Sequence, residues 1–280
     1  MNTFDYNWQT YDKVEIYGKC WLPKKDTEIK GVLCLVHGFG EHIQRYHHVA
    51  EFFTNQGFGF IAYDQRGHGK TSGKRGVVPS YEDVLENVTE FLSLVKEKFQ
   101  DIPLILYGHS MGGNIAMTYI LNYPDAPIKG AIITSPWLRL AKSPPQWQEN
   151  IGKFIGGLFK GFVMPSKLDP SHLSTDLNVG KEYMKDPLVH NKISTPLYFG
   201  VKESGGMCLK TAKDLKVNTL LMHGDDDHIT SYNASRNFTL KAPAEQLKFV
   251  SWKGMRHELH NETKKEEVLN KMLDFVEDLI

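Results

Sequence analysis

The chain predicts an α/β fold, with a mostly parallel sheet covered by helices on both faces, and three observations predict it. Short apolar runs rich in β-branched residues recur along the sequence, amphipathic segments of helical period separate them, and most runs end at glycine or a polar loop. The 280 residues allow one large domain or a domain carrying an insertion, with a core that needs no disulfide or metal.

The elements follow in order. The stretch KVEIYGKCWLP (13–23) reads as antiparallel edge strands, and GVLCLVHG (31–38) and GFGFIAYD (57–64) as buried parallel ones. A helix is expected over 81–99, where Val84, Leu85, Val88, Phe91, Leu92 and Val95 share a face and Ser80 with Asp83 supplies a capping-box start. PLILYG (103–108), KGAIITS (129–135), NTLLMHG (218–224) and LKFVSW (247–252) are further strands. A last helix buries Val268, Leu269, Met272, Leu273 and Val276. Residues 137–205 break the alternation. They show no clear strand, only prolines, tryptophans and short helical patterns, and they exceed any ordinary connection. They are expected to form a helical cap inserted between core strands, leaving 1–136 and 206–280 as the core.

Composition narrows the function classes. Lysine plus arginine and aspartate plus glutamate number 33 each, so no global field favours nucleic acid. Cys20, Cys34 and Cys208 are odd in number and far apart, which fits a reducing compartment. The start MNTFDYNWQTYDK lacks the basic and apolar segments of a signal peptide, and no run approaches the ~20 apolar residues that span a bilayer. A soluble cytoplasmic protein is the expectation.

The chemistry centres on YGHSMGG. Ser110 is the central residue of a G-x-S-x-G pattern placed between an apolar strand and an amphipathic helix. Such a turn lifts the serine out of the backbone, and Gly108 and Gly112 leave room for it. A serine hydroxyl needs a histidine base, and the base needs an acid to orient it. After NTLLMHG, the loop DDDHIT offers Asp225, Asp226 and Asp227; after LKFVSW, KGMRHELHNE offers His257 and His260. His257 falls in the loop and is the expected base. His260 adjoins Asn261, read as the cap of the last helix, and is expected at the surface. His109, beside the serine, is not expected to be the base, and His223 and His228 read as packing or loop residues.

Oxyanion donors are expected from the backbone N–H of Met111, after the nucleophile, and of Phe39, in the glycine-flanked loop HGFGEH. The H-x-x-H of His257 and His260 lacks a helix and a third ligand, so no metal is expected. The Gly-Lys-Thr of YDQRGHGKTSG has Asp64 where a P-loop requires glycine, so nucleotide binding is set aside, and no cofactor is implied.

Taken together, HGFGEHIQRYHHVAEFF, YDQRGHGKTSG, YGHSMGGNIAM, LLMHGDDDHIT and KGMRHELHNE resemble the monoacylglycerol lipase branch of the α/β-hydrolases, which overlaps with lysophospholipases and serine aminopeptidases of type S33. The likeness runs from about residue 14 to 280 and includes DPLVH in the cap. It implies Ser110 as nucleophile and His257 as base. It selects Asp227 as the acid, three residues after Gly224, and Phe39 and Met111 as oxyanion donors. The implied substrate is a monoacylglycerol, with lysophospholipid or a small feruloyl-type ester as alternatives. A peptidase would need a cap carboxylate such as Glu149 or Glu182 for the peptide amine. The alternative of another class is a non-catalytic scaffold, and oligomeric state is left open.

One cap segment bears on substrate. NIGKFIGGLFKGFVMP (150–165) places Ile151, Phe154, Ile155, Leu158, Phe159 and Phe162 along one helical stripe, with Lys153 and Lys160 beside it. This stripe is expected either to line the acyl pocket or to touch a lipid surface peripherally.

Overall fold

β-Branched and aromatic residues buried on both faces favour interior strands, and the apolar runs take that form in the computed structural model, which describes residues 1–158 and 161–280. Strands and helices follow the chain as β1 (Asn2–Asp5), β2 (Trp8–Gln9), β3 (Glu15–Ile16), β4 (Gly18–Leu22), β5 (Val32–Val36), α1 (His47–Asn55), β6 (Gly59–Tyr63) and α2 (Tyr81–Lys98). There follow β7 (Leu104–His109), α3 (Met111–Asn122), β8 (Gly130–Thr134), α4 (Gln146–Leu158), β9 (Val163–Pro165), α5 (Leu177–Lys185), β10 (Lys192–Ser194) and α6 (Thr195–Thr211). The chain closes with β11 (Thr219–Gly224), α7 (Tyr232–Thr239), β12 (Leu247–Trp252) and α8 (Lys265–Glu277).

Eight strands form the central sheet in the order β1-β4-β6-β5-β7-β8-β11-β12. Pairing is parallel from β6 through β12 and antiparallel where β4 meets β6 and β1. The 13–23 segment thus supplies β4 as expected, but β1 forms the sheet's edge outside it. Alternation along each strand divides the core. In β5, Val32, Cys34 and Val36 pack with α2, α3 and α6, while Leu33 and Leu35 pack with α1 and α8. Ser80 caps α2, with its Oγ accepting the Asp83 N–H at 3.1 Å and donating to the Asp83 carboxylate at 2.9 Å. Buried Asn114 on α3 uses its whole amide. It donates to the carbonyls of Trp137 and Val201 and accepts from the hydroxyls of Tyr81 and Ser204, which ties α3 to α2 and α6.

Residues 137–205 differ from the expectation in two ways. They contain strands after all, because β9 and β10 pair antiparallel. The expected boundary at 205 also falls inside α6, whose Leu197, Val201 and Cys208 are buried in the core cluster beneath α3. Among the described residues no helix is long and apolar enough to cross a membrane.

Candidate active site

Parallel pairing brings the C-terminal ends of β5, β7, β8, β11 and β12 to one edge, where Val36 lies opposite Gly108, Gly108 opposite Ile133, and Gly224 opposite Trp252. Loops at that edge can meet although their residues lie far apart in sequence. Ser110 stands between β7 and α3 with φ 55° and ψ −115°, a left-handed conformation that L-residues avoid. A side chain on Gly108 would strike the Gly112 carbonyl, and one on Gly112 would strike the Val36 carbonyl. The glycines let α3 start hard against the sheet, and the turn aims the serine outward.

Ser110, Asp227 and His257 form one hydrogen-bonded chain. Ser110 Oγ lies 2.8 Å from His257 Nε2, and His257 Nδ1 lies 2.7 Å from Asp227 Oδ2. The two other aspartates point elsewhere: Asp225 accepts the Gly254 N–H, and Asp226 pairs with His228 and Arg256. Asp227 Oδ1 accepts the N–H groups of Ile229 (2.7 Å) and Thr230 (3.0 Å). Burial alone would raise the Asp227 carboxyl, but the His257 charge and bonds from His223 and His257 hold it well below the ordinary carboxylate range. Burial likewise opposes charge on His257; the Asp227 carboxylate outweighs it and raises the imidazole above its ordinary value. Burial pushes His109 well down, and its Nδ1 lies 3.0 Å from Thr134 Oγ1, while the serine hydroxyl bonds His257 instead.

Met111 opens α3, so its N–H has no acceptor within the helix. Phe39 lies in the loop after β5, with its ring edge-on to His68 and His190. That loop is pinned by Glu41, whose Oε1 accepts the Gly38 N–H at 2.6 Å and the Tyr46 hydroxyl at 2.7 Å. Across the site, Ser135 Oγ donates to the His257 carbonyl at 2.7 Å. Sequence reasoning missed Glu41 and Ser135 and read His223 only as a packing or loop residue. Ser135 meets a partner 122 residues away, whereas Glu41 and His223 bond within five residues of themselves, to Gly38 and Tyr46 and to Asp227.

Ser110, His257, Gly38 and Phe39 open onto a cavity of about 860 Å³. Its far walls come from the 137–205 segment, including Trp137, Leu140, Met164, Leu168 and Phe199. Glu149 also lines it, but this buried carboxylate already bonds the Tyr198 hydroxyl and Lys202. Glu182 is exposed and pairs with Lys185.

Other expectations need correction. His260 is fully buried, stacked on Tyr46 and against His109, because residues 259–261 form a 3₁₀ turn packed inward and α8 begins only at Lys265. Ile151 and Phe154 do not line the cavity. They are 52% and 71% exposed, since α4 turns Gln148, Glu149 and Gly152 inward instead. The side chains of Ile155 and Leu158, and Phe159 altogether, lie outside the described residues. Among the described residues no cluster of histidine, cysteine and carboxylate groups is arranged to hold a metal.

The family model for serine aminopeptidase S33 matches residues 27–264. An abhydrolase domain-containing protein of Dictyostelium discoideum is 35% identical over 275 residues; the match takes in 98% of this chain but only 29% of that longer protein. A monoacylglycerol lipase of Mycolicibacterium smegmatis is 29% identical, with 94% of this chain and 93% of the relative covered. The crystal structure of Paleococcus ferrophilus monoacylglycerol lipase superposes with a TM-score of 0.82 at 29% identity, covering 98% of both chains. With its serine, acid and histidine loops gathered at one edge of a mostly parallel sheet, the chain belongs to the serine aminopeptidase S33 family, in the monoacylglycerol lipase branch of the α/β-hydrolases, and is a carboxylic ester hydrolase.

Proposed function

We propose that the protein hydrolyses acyl-lipid esters, foremost monoacylglycerol to glycerol and fatty acid, through an acyl-enzyme on Ser110. The observation that carries this reading is the hydrogen-bonded chain Ser110–His257–Asp227 opening into a large, mainly apolar-walled cavity. His257 takes the serine proton as the hydroxyl attacks the ester carbonyl, and Asp227 stabilises the imidazolium that forms. The N–H groups of Phe39 and Met111 receive the developing oxyanion, each worth about 10²–10³ in rate. His257 then protonates the leaving alcohol, and water, activated by the same base, releases the fatty acid. The segment between β8 and α6 acts as the cap, and its apolar wall accommodates the acyl chain. The names of relatives matched over nearly their full length support this substrate class. Glu149 offers little to a peptide amine, because it is already paired with Lys202.

A lysophospholipid is the second reading, because Lys142 and Lys167 both line the cavity and offer cations to a phosphate head group. Hydrolysis rates over monoacylglycerols of increasing chain length, with lysophospholipid and feruloyl esters alongside, decide between them. Preference for long monoacylglycerols is the expected result; a sharp preference for short aromatic esters would overturn the lipid assignment. Ser110→Ala should abolish turnover of every ester in the series.

The outward face of α4 supports a place at a lipid surface. Trp147, Ile151 and Phe154 follow one another at helical spacing and are all exposed, beside Lys153.

A further inference from the structure

The acid of the site is held by two histidines. Asp227 Oδ2 lies 2.7 Å from His257 Nδ1, 3.0 Å from His223 Nε2 and 2.9 Å from the Thr230 hydroxyl. His223 stands on β11, just before Gly224, and is fully buried. Its other nitrogen, Nδ1, lies 2.8 Å from Ser235 Oγ on α7. Chemistry fixes the proton positions. An ionised carboxylate only accepts, so His223 Nε2 carries a hydrogen, and in the neutral ring Nδ1 accepts from the Ser235 hydroxyl. A chain Ser235→His223→Asp227 therefore runs from α7 into the site, opposite the chain that reaches Ser110.

We propose that His223 is a positioning residue for the reaction, fixing the Asp227 carboxylate against His257 and taking a share of the charge on Oδ2. The proposal rests on the Ser110–His257–Asp227 reading above. Two consequences follow. With the His223 bond removed, Oδ2 has fewer fixed donors, and its alignment with His257 Nδ1 loosens. The remaining carboxylate is also more basic toward His257, which then keeps its proton to higher pH. The other groups facing His257 stay as they are: the Glu258 and Glu41 carboxylates, both paired with Arg45, and the His109 ring at 4.9 Å. His223 itself faces Asp227, Thr230, Ser235 and the edge of the Tyr232 ring at 5.8 Å.

The test is the rate at which a fluorophosphonate labels Ser110, followed between about pH 5 and 9, which needs no knowledge of the natural ester. His223→Leu should label on the order of tenfold more slowly at its plateau, with the acid limb displaced to higher pH. His223→Gln, which keeps an amide donor and acceptor, should recover most of both effects. Ser235→Ala leaves the ring in place and should displace the limb in the same direction by less; it also decides the matter if His223→Leu does not fold. Wild-type rate and limb in His223→Leu, slower labelling with an unmoved limb, or no recovery in His223→Gln would each overturn the proposal. A wild-type protein in which Ser110 is never labelled gives a different result, because it removes the triad reading and this role with it.

Discussion

Arg45 and Glu258, 213 residues apart, form a two-point ion pair with both nitrogen–oxygen distances at 2.7 Å. The same guanidinium reaches Glu41 at 2.7 Å and lies under the Tyr183 ring, 4.9 Å from its centroid. One cation thereby joins the loop carrying Phe39, the loop carrying His257, and α5. Burial raises the Glu41 carboxyl, whereas Glu258, despite burial, is lowered to about 2 by Arg45.

Arg45→Met leaves two buried carboxylates without their cation and should cost about 3–5 kcal/mol at neutral pH. The sign of its pH dependence follows. Both carboxyls would then have folded-state values above their unfolded ones, so their protonated forms favour the fold and stability is lost as pH rises. The deficit against wild type should be larger near pH 7 than near pH 5 by chemical denaturation. An equal deficit at both would show that packing alone, not charge, sets the cost.

The pH–rate profile carries a second prediction. His257 must be neutral to accept the serine proton, and its value lies above the ordinary 6.5. Activity should therefore fall as pH drops through a limb lying above 6.5 rather than below it. Asp227→Asn removes the charge that raises His257 and should cost about 10⁴ in kcat. A limb that stays in place in this variant would assign it to another group.

Most strands and the serine turn were legible in the sequence because their causes are local. Gly-x-Ser-x-Gly between an apolar run and an amphipathic segment places its serine at a strand–helix joint. His257 and the loop of three aspartates were legible because each follows a strand whose end is marked, and it was the family resemblance that singled out Asp227. What stayed hidden depends on contacts between distant segments. His260 looks like a loop histidine next to a cap, and only the packing of Tyr46 and His109 shows that it is buried. Arg45 and Glu258 look like surface charges until β5 and β12 bring their loops together. The stripe on α4 has helical period whether it faces inward or outward. The buried Glu149, bonded to Tyr198 and Lys202 on α6, decides which way the helix turns.

Strain at the serine turn gives a third prediction. Ser110→Ala and Ser110→Gly both lose the bond to His257, but only alanine keeps a Cβ at φ 55° and ψ −115°. Such strain is worth about 1–3 kcal/mol, while glycine loses about 0.5–1 kcal/mol more backbone entropy on folding. Ser110→Gly should be the more stable of the two inactive variants by about 1 kcal/mol in denaturant. A glycine variant less stable than the alanine one by about 0.5–1 kcal/mol would mean that the turn stores no strain.

The exposed face of α4 gives the last prediction. Trp147 is 62% exposed, Ile151 52% and Phe154 71%, so replacing all three by serine removes little buried area. Each change should move stability by no more than about 0.5 kcal/mol. If the face meets lipid, full transfer of each side chain is worth about 1.5–3 kcal/mol, and about half to seven tenths of each is exposed to transfer. Binding to anionic vesicles should therefore weaken by about 10²-fold or more for the triple variant. Turnover of a water-soluble ester should be unaffected, because none of the three side chains lines the cavity. Turnover of vesicle-borne monoacylglycerol should fall with the binding. Unchanged vesicle binding would assign the face to ordinary solvent exposure, and a parallel loss on the soluble ester would mean that α4 shapes the cavity through its outer residues as well.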